Sequence, residues 1–136
     1  MPKLSGSCLC GSVRYELEGD PVAFYHCHCK RCRKANGTGH ASNIRISAEA
    51  IKWLSGEELI KSFKVPDAVR FRNDFCGACG SPLPRFFAEA KMVVLPAGTL
   101  DSEAPIQPEA RIFYASRTEW SCKDELPVHE EYPPNL

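Results

Sequence analysis

Apolar and polar positions alternate with period two along most of this chain. In SVRYELEG (Ser12–Gly19), Val13, Tyr15 and Leu17 alternate with Arg14, Glu16 and Glu18, which is the pattern of a strand with one buried face. Val22–His26, Ala41–Ile46, Leu59–Val65, Val69–Phe75, Met92–Ala97 and Ala110–Ala115 are further strand segments. Eleven prolines and nine glycines punctuate them, and such residues end strands and make turns. Helical pattern is scarce: one turn at Lys30–Ala35 and a short piece near Asp124–Leu126. Asp101–Pro108 reads as a surface loop, and the tail from about residue 127 to 136 as loosely packed. Trp53 and Trp120 read as core or shell residues. Many short strands between turn signals predict a mainly β fold with very little helix.

Length changes this picture only by limiting it to a single domain over residues 1–136, large enough to bury a core. Charge removes some function classes. Lys plus Arg and Asp plus Glu number 17 each, so no net field draws the chain to nucleic acid or an anionic membrane. No apolar run approaches the roughly 20 residues of a membrane-spanning helix. The start, MPKLSGSCLCGSVRYE, has no apolar signal region, which predicts a cytoplasmic protein.

The eight cysteines add the chemistry. An even count suits a secreted disulfide scaffold, but a reducing cytoplasm favours metal binding. Seven fall into three groups: Cys8-x-Cys10, Cys27-x-Cys29-x-x-Cys32 and Cys76-x-x-Cys79. Two of these, CLCGS and CGACGS, end in the same Cys-Gly-Ser turn, where glycine lets the chain fold back toward the sulfur. Seven ligands divide into four plus three. Cys8, Cys10, Cys76 and Cys79 would close one structural zinc site. Cys27, Cys29 and Cys32 would hold a second zinc with an open position, the catalytic pattern. His26, His28 or His40 is the alternative fourth ligand, although His26 and His28 alternate with Cys27 and Cys29 and so face away on an extended chain. Cys122 stands alone and reads as a packed free thiol, and His129 as a solvated tail residue.

The second cysteine group carries Lys30, Arg31, Arg33 and Lys34 on top of it. Zn²⁺ with three thiolates has net charge −1, and a substrate thiolate takes it to −2. The cations would offset that charge, and Lys30, Arg31 and Arg33 would hold carboxylates of an anionic thiol.

GSCLCGSVRYE (Gly6–Glu16), CHCKRCRKANGT (Cys27–Thr38), FCGACGSPL (Phe75–Leu83) and the ending EWSCKDELPVHEEYP (Glu119–Pro133) resemble the glutathione-dependent formaldehyde-activating enzyme family, whose domain is shared with centromere protein V. The resemblance implies a zinc-bearing β-tent, with the same four-plus-three division of cysteines and an exchangeable place for the glutathione sulfur at the second zinc. It implies condensation of formaldehyde with glutathione to S-hydroxymethylglutathione, a carbon–sulfur lyase reaction in which the thiolate attacks the formaldehyde carbon and a proton passes to the new hydroxyl. Where many members have a histidine after the late proline loop, this chain has Arg111, a departure that bears on substrate identity.

The expected function is therefore a lyase acting on a glutathione or other small-thiol adduct, in a monomer or homodimer, with two zincs per chain and a three-cysteine site labile enough to empty. The competing expectations are a zinc-stabilised module that binds a protein partner, and a second zinc closed by histidine and purely structural.

Overall fold

The computed structural model describes residues 1–123 and 125–135. Among the described residues ten strands form two sheets and a ribbon. Strands β1 (Lys3–Ser7), β2 (Arg14–Glu18) and β5 (Lys52–Ser55) make a three-stranded sheet in the order β1-β2-β5. Strands β3 (Asp20–Cys27), β4 (Ala41–Ser47), β8 (Arg85–Phe87), β9 (Met92–Pro96) and β10 (Ala110–Ile112) make a five-stranded sheet in the order β10-β3-β4-β9-β8. β6 (Ile60–Lys64) and β7 (Arg72–Cys76) form a separate antiparallel ribbon. All pairings are antiparallel except β10 with β3. The mainly β expectation holds, and one α-helix, α1 (Lys30–Asn36), lies among the described residues. Among the described residues no helix is long and apolar enough to cross a membrane.

The core lies between the two sheets. Leu4, Tyr15 and Leu17 from the small sheet meet Phe24, Ile44, Ile46, Val93 and Leu95 from the large one, as the period-two pattern requires. Gly6 sits where a Cβ would overlap the Tyr15 ring and the Thr99 carbonyl. Tyr15 is fully buried, and its hydroxyl meets Thr99 Oγ1 at 2.7 Å.

Burial pushes the Tyr15 phenol up to about 12, which has a consequence at high pH. Above about pH 10 the unfolded phenol loses its proton before the folded one, so the unfolded state binds fewer protons and stability falls as pH rises. The expected loss grows to about 2–3 kcal/mol once the pH passes about 12, from the upward shift of the folded phenol. Urea midpoints measured across this range test it, and Tyr15→Phe removes that part of the pH dependence.

Several boundaries differ from the sequence expectation. β1 carries only Leu4 as a large apolar residue, and its inward Gly6 has no side chain to signal burial. β5 and β8 were not expected either, being short at four and three residues. β7 begins at Arg72 rather than Val69, whose side chain is exposed. β10 stops at Ile112 because Phe113 turns to φ 51 before a 3-10 turn at Tyr114–Ser116. Asp124 lies outside the described residues, and Glu125 and Leu126 are not helical. Trp53 packs against two core clusters, whereas Trp120 is 64% exposed and is neither core nor shell.

The face of the large sheet turned away from this core positions the chemistry. Register places Tyr25 and Cys27 beside Asn43 and Ala41, then Arg45 beside Val94, Asn43 beside Pro96, and Arg85 beside Val94. This face is polar, ends in a cysteine, and has Phe71 packed against the cysteine end.

Candidate metal centres

The two Cys-Gly-Ser turns share a left-handed glycine. Gly11 and Gly80 both lie in the left-handed region, at φ 78 and 79, where a side chain would be strained. Their N–H groups donate to the carbonyls of Cys8 and Cys76, at 3.0 and 2.7 Å. Each turn thereby brings its two sulfurs to one side. Ser81 joins the turns: its hydroxyl accepts from the Leu9 N–H at 2.9 Å and stands 3.2 Å from Cys79 Sγ.

The sulfurs of Cys8, Cys10, Cys76 and Cys79 all lie within 4.8 Å of one another. Cys8 and Cys10 are 3.6 Å apart, and Cys10 and Cys76 are 4.0 Å apart. A tetrahedral zinc with Zn–S bonds of about 2.3 Å needs sulfurs about 3.8 Å apart, so the donor set fits such an ion. All eight cysteines are free thiols. Parts of the surroundings also favour thiolates, although burial pushes the Cys76 thiol up. Val13 N–H donates to Cys8 Sγ at 3.3 Å, and Ala78 N–H to Cys76 Sγ at 3.4 Å. Donation from the Ser81 hydroxyl and amide holds the Cys79 thiol down to about 5, and the Ser12 hydroxyl pulls Cys10 in the same direction.

The second cluster forms where β3 ends and α1 begins. Cys27 is the last residue of β3, held between Ala41 of β4 and Ile112 of β10. Cys29 is the N-cap of α1, and its sulfur accepts from Cys32 N–H at 3.3 Å. Cys32 sits in the first turn with its side chain buried. Gly37 closes the helix in the left-handed conformation, its N–H on the Arg33 carbonyl. The three sulfurs lie within 4.8 Å of one another. Donation from the Cys32 thiol holds Cys27 down to about 6, and the same contact pushes Cys32 up. Three sulfurs this close, one of them held toward the thiolate, are the arrangement expected where a cation binds.

No histidine nitrogen joins either cysteine group among the described residues. The histidines form their own cluster on the other side of β3. His26 stacks on His40 with ring centroids 4.1 Å apart, and His28 lies 5.1 Å from His40. His28 is fully buried, and its Nε2 is 3.7 Å from Cys122 Sγ. Burial pulls both His26 and His28 down, so both favour the neutral form. Arg111 pairs with His26 across the strands and belongs to this histidine side. Cys122 is half-buried and outside both clusters, and His129 is exposed.

The helix cations stand mostly outward. Lys30 and Lys34 are exposed, and Arg31 reaches Asp67 at 3.4 Å. Arg33 is half-buried, with its Nε unpartnered among the described residues. Several residues near the second cluster were not revealed by spacing: Asn36, Asn43, Phe71, Asn73 and Arg85 line a narrow cleft of about 10 Å³ that reaches Cys32.

The sequence profile of the glutathione-dependent formaldehyde-activating enzyme family matches residues 3–116, a span that holds all seven clustered cysteines. The chain belongs to that family. A Halomonas elongata protein provisionally named a glutathione-dependent formaldehyde-activating enzyme is 32% identical over 124 residues, covering 86% of this chain and 78% of the relative. A crystal structure of a Rhodobacter sphaeroides protein aligns with a TM-score of 0.58 at 20% identity, over 79% of this chain and 98% of that one, and so shares the fold. The family match stops before Trp120 and Cys122, so the Trp-then-Asp-Leu-Pro ending lies beyond the matched span. Glutathione-dependent formaldehyde activation is the activity for which the family is named.

Proposed function

We propose that this chain, as a single domain, joins a small thiol to an aldehyde at the three-cysteine centre. The specific reaction is condensation of glutathione with formaldehyde to S-hydroxymethylglutathione, a carbon–sulfur lyase activity. The observation that carries this reading is the unequal division of converging sulfurs, four in one cluster and three in the other. Four protein thiolates saturate a tetrahedral ion, whereas three leave one position for an exchangeable ligand. Cys8, Cys10, Cys76 and Cys79 would hold a structural zinc, and Cys27, Cys29 and Cys32 a catalytic one. The catalytic zinc would supply the positive charge that keeps an incoming thiol ionised near neutral pH.

The chain's own residues prepare the place. The end of β3 fixes Cys27, and the start of α1 fixes Cys29 and Cys32, so all three donors come from regular structure. Phe71, Ala41 and Ile112 pack around them and limit water. Lys30, Arg31 and Arg33 would attract an anionic thiol to this end of the sheet. In the reaction the thiol sulfur forms a bond to the formaldehyde carbon, the C=O π bond breaks, and the thiol proton ends on the new hydroxyl. Eight free thiols suit a reducing cytoplasm.

The test is exchange between ¹³C-formaldehyde hydrate and its glutathione adduct, followed by NMR with the zinc-replete protein. The account expects exchange well above the rate of the two reactants alone, and dependent on protein concentration. A rate equal to the uncatalysed one would overturn the enzymatic reading.

A further inference from the structure

We propose that Arg85 is the counter-charge of the three-cysteine centre, a positioning residue that favours a thiolate over a neutral group as the fourth ligand. The proposal rests on the thiol reading above and names what selects the ionised sulfur there.

Arg85 opens β8 opposite Val94, and two residues further along β9 Pro96 lies opposite Asn43. Cross-strand partners share a face, so Arg85 stands on the sheet face that carries Asn43, Tyr25 and Cys27. Two contacts bring it to the sulfurs. Arg85 and Cys32 line one narrow cleft of about 10 Å³, so little solvent separates them. The guanidinium lies 5.5 Å from the Phe71 ring centre, and Phe71 packs against the cluster of Cys27, Cys32 and Ala41. Nη1 donates to the Arg72 carbonyl at 2.9 Å, an anchor that fixes the group without neutralising it.

A cation removed from water needs an anion nearby. Arg85 is half-buried, and no ion pair among the described residues includes it. Asp74 is engaged by Arg72 Nε at 3.1 Å and by the Ser62 hydroxyl at 2.6 Å. Burial pulls the Arg85 guanidinium down, and attraction to Cys32 is the strongest influence opposing it, ahead of Asp74. Arginine nonetheless keeps its charge. The α1 cations are placed differently. Lys30 and Lys34 are exposed, Arg31 reaches Asp67 at 3.4 Å, and Arg33 is not among the residues lining the cleft. The field of Arg85 at the sulfurs is therefore less screened than that of the exposed lysines. Three thiolates on Zn²⁺ carry −1, and a thiolate in the open position makes −2, whereas a neutral ligand adds no charge. A fixed positive charge beside the centre stabilises the −2 form most. The thiol gives its proton to solvent as its sulfur takes the open position.

Calorimetry on the zinc-replete full chain with mercaptoethanol tests this, because that thiol carries no carboxylate and reports on the sulfur alone. Arg85→Gln keeps a donor for the Arg72 carbonyl and removes the charge. It should weaken mercaptoethanol about 10-fold, the scale of one partly screened charge pair, while zinc content and melting temperature stay at wild-type values. Arg85→Lys should restore most of that affinity, because it returns the charge. Equal thiol affinity in wild type and Arg85→Gln would overturn the counter-charge role. Equal weakening in the Gln and Lys variants, or zinc loss from Arg85→Gln, would overturn it in favour of packing. If Arg85→Gln does not fold, Asn73→Asp decides instead. That change is nearly isosteric and sets a negative charge on the same cleft, opposing that of Arg85. It should weaken the thiol by a similar factor, and an unchanged affinity would overturn the proposal. Failure of the zinc-replete wild type to bind the thiol would overturn the thiol reading itself, and this proposal with it.

Discussion

Cys29→Ser is expected to remove one metal ion per chain and abolish thiol–aldehyde turnover while leaving the fold intact. Cys29 has two jobs that serine separates. It caps α1 by accepting the Cys32 N–H, and serine is among the best N-caps. It also supplies one of three converging sulfurs, and a hydroxyl is a far poorer ligand for a thiophilic ion. Metal content should fall from about two ions per chain to about one, as only the closed four-sulfur set remains. Turnover should fall by about 10³-fold or more, the scale seen when a principal electrostatic group is removed from an active site. Cys29→Ala should lose the same metal and also about 1 kcal/mol of stability, because alanine cannot cap. Elemental analysis, thermal melts and the formaldehyde exchange rate check all three parts. A serine variant that keeps both ions and full activity would remove Cys29 from the centre.

Cys76→Ser is expected to do the opposite and unfold the chain. Cys76 is fully buried and ends β7, where its sulfur faces that of Cys10, 66 residues earlier in the chain. The four-sulfur set therefore ties the start of the small sheet to the β6–β7 ribbon. Structural zinc sites in small peptides are worth about 10–16 kcal/mol, comparable to the entire ~5–15 kcal/mol stability of an ordinary domain. Losing one ligand of this set should leave a protein that does not refold, and a strong chelator should unfold the wild type in the same way. Circular dichroism and solubility read the result. Cys122→Ser is the control: that sulfur belongs to neither cluster, and its removal should change stability by no more than about 1 kcal/mol. Equal melting temperatures for wild type and Cys76→Ser would contradict a structural role for the four-sulfur site.

The sequence made the metal-grade clusters legible because their ligands are local. Cys27, Cys29 and Cys32 lie within one strand end and one helical turn, and the two Cys-Gly-Ser turns announce themselves by their glycines. Alternation likewise exposed β2, since Tyr15 and Leu17 must share a face with Val13. The surroundings of the thiols were not legible, for a geometric reason. Asn43 and Arg85 come from β4 and β8, which are not adjacent in sequence and meet the site only through their common neighbour β9. No spacing rule carries that register. The cations of α1 attracted notice because they are contiguous with the cysteines, yet Lys30, Arg31 and Lys34 project outward, whereas Arg85 lines the cleft. β1 escaped for a different reason: Gly6, one of its inward positions, leaves space for the Tyr15 ring instead of filling it.

The central claim is that the three-cysteine centre has a place for a thiol sulfur. Zinc-edge X-ray absorption on the replete protein, before and after glutathione is added, tests that most directly. The account predicts an average of about 3.5 sulfur neighbours per zinc in the free protein, from one four-thiolate and one three-thiolate site, rising to about 4 with glutathione. An average that stays at about 3.5 with saturating glutathione, or a histidine nitrogen completing the second site from the outset, would contradict it.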